Sequence, residues 1–255
     1  MTEPERVLAL RLAAPLQSWG GRSSFNRRET RAEPTKSGIL GLLAAASGIR
    51  RDQQITHLLG LRLGVRTDQP GSLLRDYHTA ADYRGNALPS TEVNAKGLQK
   101  PTSPAKPTYV TERFYLQDAV FVAALAGPRP LIEALAQALR APRFPLALGR
   151  RSCPPSGPVL LDVHDAELEE TLRTIVSWQA SASHRRRHAD DPVVRVPATI
   201  EHPDGRDALW DVPDSFSLRS RSFTPRRVRH EWITLPTGHP GNRSAEHDPF
   251  DLLGG

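Results

Sequence analysis

The stretch that decides the fold is APLQSWGGRSSFNRRETRAEPTKSGILGLLAAASGI, residues 14–49. It follows a short apolar run, Val7–Leu12, which is typical of a central strand. Its first half is polar and rich in arginine and glycine. Its second half, Lys36–Ile49, has the apolar spacing of a helix, and Thr35 or Ser37 is placed to cap that helix. The pattern therefore predicts a strand, a basic loop and a helix in succession.

The basic loop combines groups that suit single-stranded nucleic acid. Arginines carry charge for phosphates, glycines expose backbone N–H donors, and Trp19 offers an aromatic face for a base. The start of the following helix adds a partial positive charge and free N–H donors. A solvated connector, with Trp19 filling an edge of the core, is the alternative interpretation.

The composition also favours a nucleic-acid partner. The 255 residues carry a formal charge of +6, and lysine occurs only at Lys36, Lys96, Lys100 and Lys106, so the excess is mostly arginine. Arginine matches phosphate geometry and stacks on bases, although GC-rich genomes also favour its codons. Cys153 is the only cysteine, which excludes an intrachain disulfide and fits a reducing compartment. With no signal peptide and no apolar run long enough for a bilayer, we expect a cytoplasmic protein.

The rest of the first 178 residues alternates strand and helix patterns. Strands are predicted at Leu58–Asp68, Leu73–Thr79, Arg113–Leu125 and Val159–Val163, helices at Pro130–Ala141 and Ala166–Trp178, and a strand end before Gly149. The polar segment Ala80–Glu112 is interpreted as a projecting hairpin, with a disordered insert as the alternative. This order predicts an α+β, ferredoxin-like domain, the scaffold of the RNA-recognition motif. Because the aromatic signature of that motif is absent, RNA contacts are expected from loops.

The C-terminal part changes character. Residues 179–235 are predicted to form a small β-rich region, and residues 236–255 look like a tail. Strands are predicted at Val193–Ile200, Ala208–Val212 and Val228–Leu235, after a charged loop at Ala180–Pro192 that contains SHRRRH. An arginine series from Arg219 to Arg229 fits a phosphate-binding or protein-docking surface as well as a solvated one.

Catalytic and metal signatures are weak. The sequence contains no GxxxxGK[ST], GxSxG, HExxH or paired CxxC motif. His184 and His188 have the i, i+4 spacing of metal ligands, but they flank three arginines, so neither metal nor cofactor is predicted. Tyr77, His78 and Lys36 are types that can cleave RNA without a metal, and a metal-independent endoribonuclease is therefore kept as the alternative function. A stronger phosphate candidate is the turn Gly149–Ser152, where two guanidinium groups and backbone donors converge.

Several segments together resemble one known family. They are PLQSWG at 15–20, PTKSGILGLLAAASGI at 34–49, LRLGVRTD at 61–68, DYHTA at 76–80, TERFYLQDAVFVAAL at 111–125 and LGRRSCPP at 148–155. In this combination the chain resembles the CasD-type subunits of type I-E CRISPR Cascade, in the repeat-associated mysterious protein superfamily. The C-terminal part matches that family only loosely.

The resemblance implies a non-catalytic subunit that holds the 5′ handle of the CRISPR RNA and helps to assemble Cascade for RNA-guided recognition of foreign DNA. In type I-E systems a different subunit cuts the precursor RNA, whereas the equivalent type I-C protein does cut. The resemblance also implies a modified RNA-recognition-motif domain with a thumb at about residues 80–111. Its implied neighbours are the backbone subunits and the large subunit that reads the protospacer-adjacent motif, with target DNA reached only through the complex.

The resemblance further implies a set of RNA-binding residues. Gln17, Ser18, Trp19, Arg22 and Ser23 would line the handle pocket, Lys36 and Ser37 would lie beside it, and Arg150, Arg151 and Ser152 would complete it. We expect Arg27, His78 and Arg113 at the same surface. A pure protein scaffold, whose arginines meet acidic partners, is the remaining alternative.

Overall fold

A computed structural model describes residues 5–20, 26–81, 89–101, 108–216 and 222–238. The strands are β1 (Glu5–Ala13), β2 (Leu16–Gln17), β3 (Arg27–Arg28), β4 (Arg62–Gln69), β5 (Ser72–Ala81), β6 (Pro89–Val93), β7 (Gln99–Pro101), β8 (Thr108–Gln117), β9 (Val120–Pro128), β10 (Leu160–His164), β11 (Val193–Glu201), β12 (Asp207–Pro213) and β13 (Phe223–Pro236). The helices are α1 (Lys36–Ala46), α2 (Thr56–Leu59), α3 (Arg129–Arg140), α4 (Leu168–Glu170) and α5 (Ala182–Arg187), with a π-helical turn at Thr171–Ile175. The protein is thus a mixed α and β structure.

Seven strands form the main sheet, in the order β10-β1-β9-β4-β11-β13-β12, and all neighbouring strands run antiparallel. The strands of the predicted C-terminal region belong to this same sheet, because β11 pairs with β4 between Ala198 and Ile200. The division of the chain into domains at residue 178 stays a prediction.

The first face of the main sheet is covered by helices α1 and α3. Strand β1 shows the alternation that a sheet requires, since Leu8, Leu10 and Leu12 join the helix-side cluster whereas Val7 and Ala9 join the opposite one. Both sets are fully buried, so β1 is a central strand as predicted.

The second face is covered by the segment from α4 to Trp178, which one buried arginine holds in place. Arg66, on β4, is fully buried and forms a bidentate pair with Asp68 at 2.6 and 2.9 Å. Its guanidinium also donates to the carbonyl oxygens of Leu172, Val176 and Ser177. Because both faces at the centre of the sheet are buried, the sheet offers no open platform for bases there.

A second, smaller sheet projects from the first. Strands β5 and β8 pair without interruption from Ser72 with Gln117 to Ala81 with Thr108, and together they are called the ribbon below. On its other edge β8 pairs with β2 and with β3. The predicted hairpin is therefore part of a longer ribbon, and beyond it β6 pairs with β7. Residues 82–88 and 102–107 lie outside the described part.

Several sequence predictions need correction. The strand predicted over Arg113–Leu125 is two strands in two sheets, because Asp118 adopts a positive φ of 57° between β8 and β9. The helix predicted over Ala166–Trp178 is only α4 and the π-helical turn. The predicted charged loop contains α5, and no strand precedes Gly149 in the described stretch after α3. Within the described residues, no helix has both the length and the apolar character that crossing a membrane requires.

Candidate nucleic-acid interface

The loop after β1 contributes to the core through Gln17 and Trp19. The Gln17 side chain is buried and donates through Nε2 to the carbonyl oxygens of Leu12 and Ala119, at 3.1 and 2.7 Å. Its Oε1 accepts the indole N–H of Trp19 at 3.1 Å. Trp19 is 0% exposed and lies against Gly38, where a Cβ would approach the ring at 2.8 Å. The expectation that Trp19 presents a stacking face is therefore corrected: the ring fills the core.

Ser18 connects this loop to two other elements. It is buried, its backbone N–H donates to the carbonyl of Leu148 at 3.1 Å, and its hydroxyl donates to the carbonyl of Phe114 at 3.2 Å. Gln17 and Ser18 thus position the surrounding loops and are not exposed to a ligand. Arg22 and Ser23, which were predicted to line the same pocket, lie outside the described residues.

The start of α1 is satisfied by the protein itself. Thr35 caps the helix by accepting the N–H of Gly38 at 3.1 Å, as predicted, and its hydroxyl lies 3.2 Å from that of the buried Ser37. The backbone N–H of Lys36 donates to the carboxylate of Asp211 at 2.8 Å. A carboxylate at a helix N-terminus meets the partial positive charge there. The place that the sequence assigned to a phosphate is filled by Asp211.

Lys36 itself belongs to a group of four charges, of which Lys36, Asp211 and Arg226 are buried and Glu201 is half-buried. This group is called the charge network below. Its Nζ donates to both oxygens of Glu201 at 3.0 and 2.9 Å, and Arg226 binds Asp211 at 2.7 and 3.1 Å. Burial lowers the pKa of Lys36, against the opposing effect of the Glu201 carboxylate. Lys36 and Ser37 are therefore removed from the predicted RNA-binding set, because they are buried and occupied by protein groups.

The turn after residue 147 brings Arg150 onto the ribbon. Its guanidinium donates to the carbonyl oxygens of Phe114 at 3.2 Å and Arg28 at 2.8 Å, and it lies 4.7 Å from the centre of the Tyr115 ring. Gly149 makes this approach possible, because its φ is +91° and a Cβ there would overlap the carbonyl group of Ser18. The position of Arg150 is fixed by these protein contacts, and the residue is half-buried.

Three arginines converge at this point. Strand β3 pairs parallel with β8 so that Arg28 lies beside Arg113. The pKa of Arg28 is lowered, first by burial and then by the positive charges of Arg150 and Arg113. Arg151 and Ser152 follow Arg150 in the turn and are exposed, as is Arg113. Arg28, Arg113, Arg150 and Arg151 are called the arginine face below.

The remaining predicted residues lie along the ribbon. His78 is 58% exposed in its side chain and contacts Asp76 at 2.9 Å; since Asp76 pairs with Arg113, these side chains share one face of the ribbon. Arg27 binds Glu29 at 3.1 Å and lies 5.1 Å from the Phe114 ring centre, towards the opposite face.

Of the predicted set, the structure brings Arg113 and Arg150 together around Arg28, and Arg151 and Ser152 follow Arg150 in the same turn. His78 lies on the face of the ribbon that carries Arg113, and Arg27 lies on the opposite face. Arg28 was missed by the sequence selection. Its position next to Arg27 was visible, but its pairing with Arg113 depends on a strand contact between distant segments.

Comparison with known proteins places this geometry in a family. The model of the family described as CRISPR-associated protein (Cas_Cas5) matches residues 7–229. The Cascade subunit CasD of the CRISPR system of Escherichia coli (strain K12) is 33% identical over 220 residues, which cover 74% of this chain and 90% of that protein.

Two solved structures are also similar. A chain of a CRISPR RNA-guided surveillance complex superposes with a TM-score of 0.71 at 31% identity, over 97% of this chain and 99% of the other. A crystal structure of a Cas protein superposes with a TM-score of 0.62 at 36% identity, over 91% and 95% of the two chains.

Proposed function

This chain belongs to the CRISPR-associated Cas5 family, and we propose that it is a non-catalytic Cascade subunit that holds the 5′ handle of the CRISPR RNA. The observation that carries the proposal is the convergence of Arg28, Arg113 and Arg150 beside the exposed Arg151. Positive charges that lie close together repel one another, and the negative charge of a bound phosphodiester would reduce that repulsion.

The chemistry of the arginine face suits a phosphate chain. Guanidinium groups bind phosphate oxygens with paired N–H donors, and their charge supplies sequence-independent affinity. Two carboxylates lie near it: Glu112 binds Arg75, and Asp76, the cross-strand partner of Arg113, contacts the ring of His78 at 2.9 Å. The Tyr115 ring is largely covered and supports Arg150 from below, so bases are not expected to stack on it.

The proposed domain type is the ferredoxin-like, modified RNA-recognition-motif fold. Its support is the order β10-β1-β9-β4, all antiparallel, with α1 between β1 and β4 and α3 between β9 and β10. The ribbon corresponds to the thumb in this proposal. Because the sheet is buried on both faces at its centre, RNA would lie on the ribbon and its adjoining turn.

The proposed partners are the other Cascade subunits. Backbone subunits would pack on the ribbon, and the large subunit that reads the protospacer-adjacent motif would be a neighbour. A cytoplasmic location accompanies that assignment. Family membership supports these partners, and the contact surfaces with them are left to experiment.

The endoribonuclease alternative is less well supported. It needs Tyr77, His78 and Lys36 near one another, yet Lys36 is buried against Glu201. Tyr77 and His78 are successive residues of β5, so their side chains point to opposite faces of the ribbon. Incubation of the protein with repeat RNA in EDTA tests this alternative, and specific cleavage that is lost in Tyr77→Phe or His78→Ala would establish it.

The binding proposal is tested by titrating labelled repeat RNA with the wild type, Arg113→Ala and Arg151→Ala over a salt series, with fluorescence anisotropy as the readout. Each variant should bind more weakly, and the log–log salt slope should shrink by about 0.7 for each lost phosphate contact on a single strand. Arg195→Ala is the matched control, because Arg195 is an exposed arginine on β11, which is not part of the ribbon sheet. If both arginine-face variants match the control in affinity and slope, the proposal is wrong.

A further inference from the structure

The segment SHRRRH, residues 183–188, has no role in the proposed handle site. It borders a cavity at the end of the ribbon where β5 begins and β8 ends. The volume of this cavity is about 600 Å³. Its walls come from the end of β1 with Arg11, from the paired ribbon residues Ser72 and Gln117, and from helix α5 with Arg187. It is called the cleft below. Three distant segments thus meet around a space large enough for one nucleotide unit.

The charge that lines the cleft is positive on balance. Arg11 and Arg187 line it together with His184, and Asp118 is the one carboxylate among its described lining residues. The pKa of Arg11 is lowered, mainly by burial and also by the positive charge of the neighbouring Arg185. Positive side chains that lie close together around a cavity repel one another, and a bound anion reduces this repulsion.

A second carboxylate, Asp68, acts on Arg11 but is bound to other groups. Asp68 raises the pKa of Arg11, against the two causes above, but its own oxygens are bound elsewhere. Its carboxylate accepts two hydrogen bonds from Arg66 and, through Oδ2, the backbone N–H of Gln179 at 2.5 Å. Arg11 donates through Nε to the carbonyl of Gln179 at 3.3 Å, which positions its guanidinium at the edge of the cleft.

The other lining groups fit a nucleotide better than a simple anion. The hydroxyl-bearing residues Ser72, Ser156 and Ser183 line the same space and can donate to phosphate or ribose oxygens. Ala13, Pro15 and Val120 supply an apolar wall. His184 packs edge-on against Trp178 with ring centres 5.7 Å apart, so the side chain on α5 that lines the cleft has a fixed support.

We propose that the cleft binds a phosphodiester group of the same single-stranded RNA and so extends the arginine face along the ribbon. This inference rests on the proposed function for the identity of the RNA. Gln117 lies four residues from Arg113 on β8, a distance of about 13 Å at the rise of an extended strand. One RNA strand can therefore contact both places. An acidic peptide could use both the cations and the hydroxyl groups, but it gives no reason for continuity with the arginine face.

The test compares two neighbouring arginines of one helix. Arg187 lines the cleft, whereas Arg186 is exposed and does not. In anisotropy titrations with labelled single-stranded repeat RNA, Arg187→Ala should weaken binding about threefold to tenfold and reduce the salt slope by about 0.7. Arg186→Ala should leave both little changed. Ser183→Asp, which adds a negative charge to the cleft, should weaken binding at least as much as Arg187→Ala.

The results distinguish a phosphodiester site in the cleft from diffuse positive charge and from a protein-binding site. Equal losses in Arg186→Ala and Arg187→Ala would mean diffuse charge and would overturn the inference. Competition by a polyglutamate peptide that depends on Arg187, with RNA binding unaffected by the substitution, would make the cleft a protein site and would also overturn it. If Arg113→Ala and Arg151→Ala lose affinity while both cleft variants keep it, the inference fails and the proposed function stands. If the wild-type protein binds no repeat RNA, the proposed function fails and the inference fails with it.

Discussion

The charge network at the start of α1 and the arginine face on the ribbon contain the same kinds of cation, but their surroundings differ. Lys36 and Arg226 are 2% and 5% exposed, and each has a carboxylate at hydrogen-bond distance. Arg113 and Arg151 are exposed, and the pKa of Arg28 is lowered, first by burial and then by the positive charges of Arg150 and Arg113. Matched, buried charges hold strands to a helix, whereas crowded charges nearer the surface are the arrangement in which we propose that an anion binds.

The largest expected effect is in the charge network. Asp211→Ala removes the hydrogen-bond partner of both Arg226 and the Lys36 backbone N–H, and leaves Glu201, at 3.9 Å, as the carboxylate near Arg226. Removing one partner of a buried ion pair costs about 3–5 kcal/mol. Urea unfolding should show a loss of that size. Asp204→Ala is the control, because the side chain of Asp204 is 92% exposed, and its change should stay within about 0.5 kcal/mol. If Asp211→Ala and Asp204→Ala both changed the free energy of unfolding by a similar, small amount, the charge network would not stabilise the fold in the way expected of buried charges.

A second effect concerns the turn that supports Arg150. Gly149→Ala forces an ordinary residue into a positive φ, at a cost of about 1–3 kcal/mol, and the new Cβ also overlaps the Ser18 carbonyl. The free energy of unfolding should therefore fall, and RNA affinity should fall with it. Gly157→Ala is the matched control, since no atom lies within 4 Å of a Cβ there. Unchanged RNA affinity in Gly149→Ala would show that the turn does not position the arginine face.

Substitutions in the arginine face should change RNA binding more than stability, which is the opposite of what we expect for the charge network. Arg151→Ala should change the free energy of unfolding by no more than about 0.5 kcal/mol, because the side chain is exposed. Its effect should appear in RNA binding and in the salt slope. A loss of stability comparable to that of Asp211→Ala, measured in the same urea titration, would mean that Arg151 is a structural residue.

The smallest effect is a pH dependence at His184, beside the cleft. Its pKa is lowered from 6.5, first by burial and then by the positive charges of His188 and Arg187. Below pH 6.5 the unfolded chain therefore takes up a proton more readily than the folded chain, so this contribution to stability is lost as the pH falls through the lower folded value. His184→Gln should show a smaller decrease in urea midpoint on acidification than the wild type. Identical pH profiles would contradict the assignment, and His78→Gln is the exposed control.

Some local features could be predicted from residues alone. The central strand β1, the Thr35 cap and the amphipathic α3 follow from patterns within a dozen residues, and the structure contains all three. The break at Asp118 was missed because the apolar and aromatic residues on either side of it read as one continuous strand pattern, although they enter different sheets.

The site was predictable in its residue types and only partly in its membership. Arginines near a turn and a ribbon pointed to phosphate, and Arg113 and Arg150 do lie together around Arg28, with Arg151 next in the turn. Arg28 was omitted, and Lys36 and Trp19 were included, because exposure depends on segments that are distant in the chain. Asp211 lies 175 residues from Lys36 in the sequence, and no local sequence pattern predicts that contact.

The sequence by itself determined the basic character of the chain, the order of most of its longer strands and helices, and its resemblance to one family. These depend on composition, on short-range periodicity and on short segments that match the family. The tertiary structure alone decided which cations are neutralised inside the protein and which remain available at the surface. The physical reason is that burial and pairing of a charge are set by neighbours contributed from the whole chain.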